Sequence, residues 1–295
     1  MAAKKFSLSQ MSFHFVFAAV SLTFLLPLLL IAAVSLTPEK TLQIAGYSFF
    51  PDRYVLDAYR FVFRSGSLVL SAYRVTIFVT ATGVFAHLLI CSMMAYALTR
   101  AKLKYANRIS LFIYIPLMFS GGLVPYYILI TQYLHLKNTV WALIIGGLVS
   151  PWNMLVMKNY FRSIPASLVE SARIDGAGEF RIYATIALPL ATPVIATIGL
   201  FTAIGYWNEW MSCALYIEKQ ELYNLQFLLQ SLMSSVAILK ANAEKFTGLQ
   251  KMYEALPSES ARMATCVLSI GPIILLYPLL QKYFRKGLIL GAIKE

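Results

Sequence analysis

Six long apolar stretches constrain what this chain can fold into more than any other feature of its sequence. A helix needs about 20 predominantly apolar residues to cross a bilayer. The six are Phe13–Leu36, Val75–Leu98, Ile109–Thr131, Thr139–Val156, Leu190–Ile217 and Ala264–Phe284. Because hydrocarbon offers exposed backbone groups no hydrogen-bond partner, such segments cross as helices. The sequence therefore predicts an all-α integral membrane protein with six transmembrane helices.

Composition supports this fold class. Of the 295 residues, 59% are hydrophobic and 13% are charged, whereas soluble domains carry about a quarter charged residues. The net charge of +12 fits the Lys and Arg that membrane proteins retain in cytoplasmic loops. No basic-aromatic motif accompanies it, so we expect no nucleic-acid partner. Cys91, Cys213 and Cys266 lie in apolar segments without metal or disulfide spacing, and we expect no metal site.

The placement of Lys and Arg predicts the orientation. The short connection "RAKLKYANR" (100–108) holds four cations and no acid, which is typical of a cytoplasmic loop. This orientation gives a cytoplasmic N-terminus (1–12), a transmembrane domain (13–284) and a cytoplasmic tail (285–295). Both termini are then cytoplasmic, and the chain is a multi-pass protein.

One further apolar stretch, Leu222–Ile238, is interrupted by Asn224, Gln226 and Gln230. If it crossed the membrane, the cationic tail would lie outside, against the positive-inside rule. We interpret it as an outer helix or re-entrant piece within a large external loop, residues 218–263.

A polar segment, "ESARIDGAGEFRIYATIALP" (170–189), separates the fourth and fifth apolar stretches. Its signals are a helix start at Ser163 (as a cap) and Pro165, a stop at Gly176 and Gly178, and a second start at Glu179. Pro189 is expected to break the line of the chain just before the next span. The prediction is a helix, a glycine turn and a second helix.

The first of these helices presents a face that suits contact with another protein. Ser167, Glu170, Ser171 and Ile174 share that face by their spacing, and small side chains beside one carboxylate allow close approach. The alternative is an amphipathic helix on lipid headgroups. Such a helix carries basic residues on its polar face, whereas residues 170–189 hold three acids and two bases.

The same segment resembles the "EAA" loop of permease subunits of binding-protein-dependent type I ABC importers. The family pattern is Glu-x-Ala, three residues, Gly, nine residues and Ile-x-Leu-Pro. The matching residues are Glu170, Ser171, Ala172, Gly176, Ile186, Leu188 and Pro189, with Ser171 where the family has its middle alanine. Residues 205–217 resemble the fifth span of carbohydrate-type importers, and residues 283–295 resemble their C-terminal tail. The likeness is greatest to the smaller maltose-type permease and to permeases for complex or acidic oligosaccharides such as alginate.

This resemblance implies a fold, a function and partners. The chain would be one half of the pathway for an oligosaccharide across the bacterial cytoplasmic membrane, with the six-helix permease fold. The coupling loop would be 163–189, and its ATPase-coupling residues would be Glu170, Ser171, Ala172, Asp175, Gly176, Ile186, Leu188 and Pro189. Expected partners are a second homologous permease, two ATP-binding-cassette subunits, an external solute-binding protein and the lipid bilayer.

The chain lacks the phosphate-binding pattern G-x-x-x-x-G-K-[ST]. We therefore expect a non-catalytic subunit that binds no cofactor itself. ATP and Mg are expected in the partner ATPase subunits, and the chain would receive their energy through the loop.

Candidate pathway residues lie where glycine or proline interrupts the third and fourth stretches and near the end of the fifth. They are Tyr126, Tyr127, Trp152, Asn153, Asn208 and Glu209. Broken helices at membrane depth line cavities or pack against protein, and both interpretations stay open. Glu209, flanked by two tryptophans, is equally an interface anchor. In the best-known family member the other permease supplies most sugar contacts, so the resemblance does not assign the site to this chain.

Two other classes of protein fit the sequence less well. A secondary transporter or channel subunit without an ATPase partner would normally show ionisable residues at mid-membrane and two related halves, and neither is apparent. A membrane-embedded enzyme is disfavoured because His14, His87 and His135 are far apart and form no catalytic or metal spacing. Cations in the predicted outer loops favour an acidic oligosaccharide; they are Arg53, Arg60, Arg64, Arg74 and Lys137.

Overall fold

The computed structural model describes residues 8–100, 103–243, 259–272 and 274, and within these residues it contains helices and no strand. The helices are α1 (Leu8–Ser35), α2 (Glu39–Ala45), α3 (Asp57–Val62), α4 (Gly66–Ala97), α5 (Ala106–Met118), α6 (Leu123–Ile128), α7 (Val140–Ile145), α8 (Pro151–Arg162), α9 (Ala166–Ile174), α10 (Glu179–Ile182), α11 (Leu188–Leu190), α12 (Thr192–Asn208), α13 (Met211–Tyr216) and α14 (Leu225–Ala243). Residues 259–272 are also helical. Wider π turns occupy Leu129–Tyr133 and Tyr183–Ala187, and 3₁₀ turns occupy Phe63–Ser65 and Gln220–Leu222.

Two helices of the described chain are long and apolar enough to cross a membrane by themselves, Ser12–Ser35 and Ser67–Ala97. They match the first two predicted spans. Two further pairs reach that length only across a bend, which is 113° between Ala106–Met118 and Leu123–Tyr133, and 78° between Glu179–Leu190 and Thr192–Asn208. The count of six spans and the cytoplasmic termini stay predictions. Most of the sixth stretch and the tail lie outside the described residues.

The third and fourth apolar stretches are broken, as the sequence predicts. α5 ends at Met118, and α6 begins after Gly122, whose φ of +83° suits glycine. In the fourth stretch, α7 ends at Ile145 and α8 begins at Pro151, in a position where proline's missing N–H costs nothing. The Ser150 hydroxyl caps α8 by accepting the backbone N–H of Asn153 at 3.3 Å.

The fifth stretch is not the continuous helix that its apolar run predicts. α12 ends at Asn208 and α13 begins at Met211. The Asn224 side chain donates to the Glu209 carbonyl, and the Glu209 carboxylate accepts the Ser212 backbone N–H at 2.9 Å. These two contacts satisfy backbone groups that a broken helix leaves open, and they make the break stable.

The chain divides into two compact units. Among the described residues, the first consists of 8–66, 231–243 and 259–271. Within it, the Glu39 carboxylate accepts the backbone N–H groups of Glu259 and Ser260, each at 3.0 Å, and so caps the helix 259–272. In the most apolar window of α1 no residue is buried, as expected for a helix that is surrounded by lipid or by another chain.

The second unit, which among the described residues comprises 67–100, 103–230, 272 and 274, contains two hydrophobic clusters. One joins the C-terminal half of α4 to α8, to the polar loop and to the start of α12; its most buried members include Cys91, Met157, Phe161, Ile182 and Ala191. The other joins the N-terminal half of α4 to α7, α12 and α13; its members include Val79, Ile130, Leu143, Tyr206 and Tyr216. The first cluster holds the polar loop against the helices that the apolar stretches form.

Candidate functional site

The polar loop begins with α9, and its start differs in detail from the prediction. The residue before the first helical turn is Pro165, and no side chain caps the helix. The Ser163 hydroxyl instead donates to the Tyr160 carbonyl at 2.7 Å, at the end of α8. Ser163 therefore belongs to the preceding helix end. The rigid φ of Pro165 sets the direction of the chain into α9.

The face of α9 that the sequence predicts for protein contact is exposed. Glu170 and Ser171 are exposed, and Ile174 has 87% of its surface accessible. Val169 is buried, and Ala172 packs against the first hydrophobic cluster. The Glu-x-Ala pattern therefore places the carboxylate outward, while the small alanine lets the helix lie close to the core.

The turn after α9 is a Schellman motif centred on Gly176. Ala177 N–H bonds to the Ala172 carbonyl at 2.9 Å, and Gly176 N–H bonds to the Arg173 carbonyl at 3.0 Å. Gly176 has a φ of +81°, which explains the glycine. Gly178 has a φ of −71° and precedes α10 in an extended conformation, so the prediction that both glycines end the helix is correct only for Gly176.

The second helix of the loop ends at Leu190, one residue after Pro189. α10 leads into the π turn Tyr183–Ala187 and then into α11, which contains Pro189. A proline ring clashes with the carbonyl four residues earlier, which here belongs to Thr185 within the π turn. The wider turn accommodates the ring, and the 78° bend follows between Leu190 and Thr192. This bend confirms the prediction that Pro189 breaks the line of the chain just before the next span.

An ion pair ties the two helices of the loop together and to α4. Arg173 donates from Nη2 and Nε to Glu179 Oε1, at 2.5 and 3.1 Å. Tyr96 Oη of α4 donates to Glu179 Oε2 at 3.3 Å. Partial burial opposes ionisation, but the hydrogen bonds and charge of Arg173 outweigh it and hold the pKa of Glu179 below its usual range. The loop is thus fixed to α4 by a charged contact as well as by apolar packing.

The remaining residues of the predicted coupling set are also divided between an exposed surface and the hydrophobic core. Asp175 follows α9, and its side chain is exposed. Ile186 and Leu188 pack against the first hydrophobic cluster. The loop therefore has an outer surface of α9 residues and an inner surface that is continuous with the core.

The structure places the predicted tyrosines beside a residue that the sequence did not single out. The Tyr127 ring stacks on Tyr216 at a centroid distance of 5.8 Å, and Tyr126 meets Tyr216 edge-on at 6.5 Å. Tyr126 remains 38% exposed. Sequence reasoning missed Tyr216 because it follows the unpredicted break in the fifth stretch.

The other pathway candidates are not gathered into one site. Trp152 is 65% exposed, whereas the Asn153 amide lies 3.0 Å from His87 Nε2. Asn208 accepts from Gln226 Nε2 at 3.3 Å and donates to the backbone of its own helix. The Glu209 carboxylate serves as a cap for α13. Three of these four side chains thus have structural partners, and Trp152 offers an open aromatic surface. No group of three or more possible metal ligands occurs in the part of the chain that is described.

The described residues form membrane-length apolar helices, interrupted helices and an outward-facing helix–turn–helix loop, and this arrangement fits the membrane component of a transport system. Residues 1–290 match the family of binding-protein-dependent transport system inner membrane components. The chain belongs to this family and is the permease subunit of such a system.

Similar proteins agree over nearly the full length. Protein LplC of Bacillus subtilis (strain 168) is 36% identical over 271 residues, covering 92% of this chain and 89% of that protein. The polygalacturonan/rhamnogalacturonan transport system permease protein YtcP of the same organism is 33% identical, covering 91% and 92%. A chain from the crystal structure of a bacterial ABC transporter involved in the import of the acidic polysaccharide alginate has a TM-score of 0.76 and 30% identity, covering 96% and 100%.

Proposed function

We propose that this chain forms one half of the pathway by which an ATP-driven importer moves an oligosaccharide across the bacterial cytoplasmic membrane. The chain is a permease subunit, and the relatives with printed substrates carry sugars. In this proposal the six apolar stretches cross the membrane, with both termini in the cytoplasm. The positive-inside distribution of Lys and Arg supports that topology.

The loop supports the proposed ATPase partner. The exposed Glu170 and Ser171, on a helix whose opposite side is embedded in the core, carry the proposal. A docked ATPase subunit would bind this outer face, and the buried inner face would transmit the movement of the ATPase subunit to α4, α8 and α12. Two such subunits would supply ATP and Mg, a second permease would complete the pathway, and an external binding protein would deliver the sugar.

Acidic oligosaccharides are the substrate class we propose. The relatives YtcP and the alginate transporter are named for uronate-containing polysaccharides. In the predicted outer loops Arg60 and Lys137 are paired with Asp57 and Glu218. The exposed Arg53, Arg64 and Arg74 show no ion pair within the described residues, which leaves cationic side chains for an anionic sugar or its carrier.

The test is Glu170→Lys in the complete complex, reconstituted in liposomes with its binding protein and with oligogalacturonides or alginate oligosaccharides as probes. We expect normal membrane insertion and a loss of sugar-stimulated ATPase and uptake of about tenfold or more, because a reversed charge opposes docking. Glu221→Lys is the matched control, since Glu221 is exposed in the predicted outer loop. Unchanged sugar-stimulated ATPase in Glu170→Lys would contradict the coupling role. Uptake by the permease chains without ATPase subunits would favour a secondary transporter.

A further inference from the structure

The break in the fourth apolar stretch is held by side chains from α4 and α12. Between α7 and α8 the chain leaves regular helix, so its carbonyl groups need other partners. Three side chains approach carbonyl groups in the last turn of α7 or in the segment that follows it: Tyr206 Oη lies 2.7 Å from the Ile144 carbonyl, His87 Nδ1 lies 2.8 Å from the Gly147 carbonyl, and Cys91 Sγ lies 3.9 Å from the Leu148 carbonyl. Irregular backbone inside a membrane persists where such partners exist.

Close packing fixes the position of this break. A Cβ atom added at Gly147 would lie 2.6 Å from the Tyr206 ring and hydroxyl, and one added at Gly83 of α4 would lie 2.5 Å from the same ring. The ring therefore fills the space between α4 and the break, and the two glycines make that approach possible. The unwound segment has one defined position against α4.

His87 links the break to α8 through both ring nitrogens. A carbonyl only accepts, so Nδ1 carries the proton that bonds to Gly147. The amide nitrogen of Asn153 only donates, so Nε2 accepts its hydrogen bond at 3.0 Å. His87 is only 1% exposed. One buried ring thus bonds the unwound backbone on one edge and the first turn of α8 on the other.

α8 leads directly to the coupling loop. Its buried residues Met154, Met157 and Phe161 lie in the same hydrophobic cluster as Val169 of α9 and Ile182 of α10. A shift of the α8 axis would therefore displace the packing surface on which the loop rests, because close-packed interiors transmit displacement.

We propose that His87 is a positioning residue for transport. Through its bonds to Gly147 and Asn153, it fixes the break and the direction of α8, and so it keeps the coupling loop in a fixed position relative to the pathway. This inference rests on the proposed coupling function. It assigns a role to a buried histidine that touches neither the outer face of α9 nor the candidate pathway tyrosines.

A double-mutant cycle on the reconstituted complex tests it, with the oligogalacturonide taken up per ATP hydrolysed as the measured ratio. We expect His87→Leu to keep basal ATPase and to lower this ratio about tenfold. Asn153→Leu should lower it similarly, and the double variant should be no worse than the worse single variant, because all three remove the same bond. His87→Gln, whose amide can reach the position of Nε2, should restore part of the ratio.

A wild-type ratio in His87→Leu would overturn the proposal, as would losses that multiply in the double variant. If His87→Leu does not assemble, His87→Asn replaces it in the cycle, because its shorter amide can still donate to the Gly147 carbonyl but cannot reach Asn153; the same outcomes then decide. Failure of the proposed function is separate, since it appears as ATP-independent uptake in the wild-type complex.

Discussion

Gly176 and Gly178 lie two residues apart in the loop, yet only Gly176 has a backbone conformation that requires glycine. Gly176 has a φ of +81°, which opposes a side chain even though nothing lies within 4 Å of an added Cβ atom. Gly178 has an ordinary φ and equally open space. Steric crowding is therefore the same at both positions, and backbone conformation alone separates them.

We predict that Gly176→Ala destabilises the loop by about 1–2 kcal/mol, the usual cost of a left-handed conformation for a residue with a side chain. Gly178→Ala should be neutral or slightly stabilising. The measurements are the unfolding midpoint of the purified complex and its sugar-stimulated ATPase, compared at equal expression. Equal effects of the two substitutions would mean that the turn does not need the Gly176 conformation.

Single residues of the loop also show which features could be predicted from the sequence and which could not. The spacing of Glu170, Ala172 and Gly176 was sufficient to predict the helix, the turn and the outward carboxylate. It could not predict the π turn before Pro189, because no feature of the composition indicates such a turn. Similarly, His87 contacts Gly147 and Asn153, which lie 60 and 66 positions later in the chain. A single sequence does not reveal such a pairing.

At the scale of elements, the Arg173–Glu179 pair joins α9 to α10. Its side chains are 33% and 44% exposed, so solvent screening limits its contribution to about 0.2–1 kcal/mol. Because the pKa of Glu179 is lowered from 4.5 in the folded state, the ionised carboxylate stabilises folding above that value. The contribution is lost as the pH falls through the lower folded pKa.

We therefore predict that Glu179→Gln lowers the unfolding midpoint slightly at neutral pH, and that its difference from wild type shrinks once the pH falls below the ordinary carboxyl pKa of about 4. Glu170→Gln is the control on the neighbouring helix, since Glu170 shows no ion pair within the described residues. The measurement is thermal unfolding of both variants and wild type from pH 7 downward. A Glu179→Gln difference that grows on acidification would have the wrong sign for this pair.

Helix breaks show which element boundaries a sequence predicts. The breaks in the third and fourth stretches contain glycine and proline, and they occur where those residues indicate. The break at Glu209 has neither signal; it depends on Asn224, which lies 15 positions later and bonds to the Glu209 carbonyl. Tertiary hydrogen bonds of this kind override an apolar run that by itself favours one continuous helix.

At the scale of the whole molecule, the apolar stretches and a twenty-residue pattern were sufficient to predict the class of protein, because both follow from requirements that are local in sequence. A bilayer requires uninterrupted apolar length, and a coupling loop requires a compact helix and turn. The candidate residues of the pathway are a different case, because no such local requirement identifies them. Asn153, Asn208 and Glu209 are polar residues in apolar stretches, and their structural partners account for them without a ligand.

The topology gives the last prediction. An even number of spans with the N-terminus inside places Lys104 and Lys294 in the cytoplasm and Arg53 and Lys219 outside. Single cysteines at these positions, in a background lacking the three native cysteines, should react with a membrane-impermeant maleimide in intact spheroplasts only at positions 53 and 219. Positions 104 and 294 should become reactive after the membrane is opened. Labelling of position 294 from outside would mean that Leu222–Ile238 crosses the membrane as a seventh span or that another predicted span does not cross.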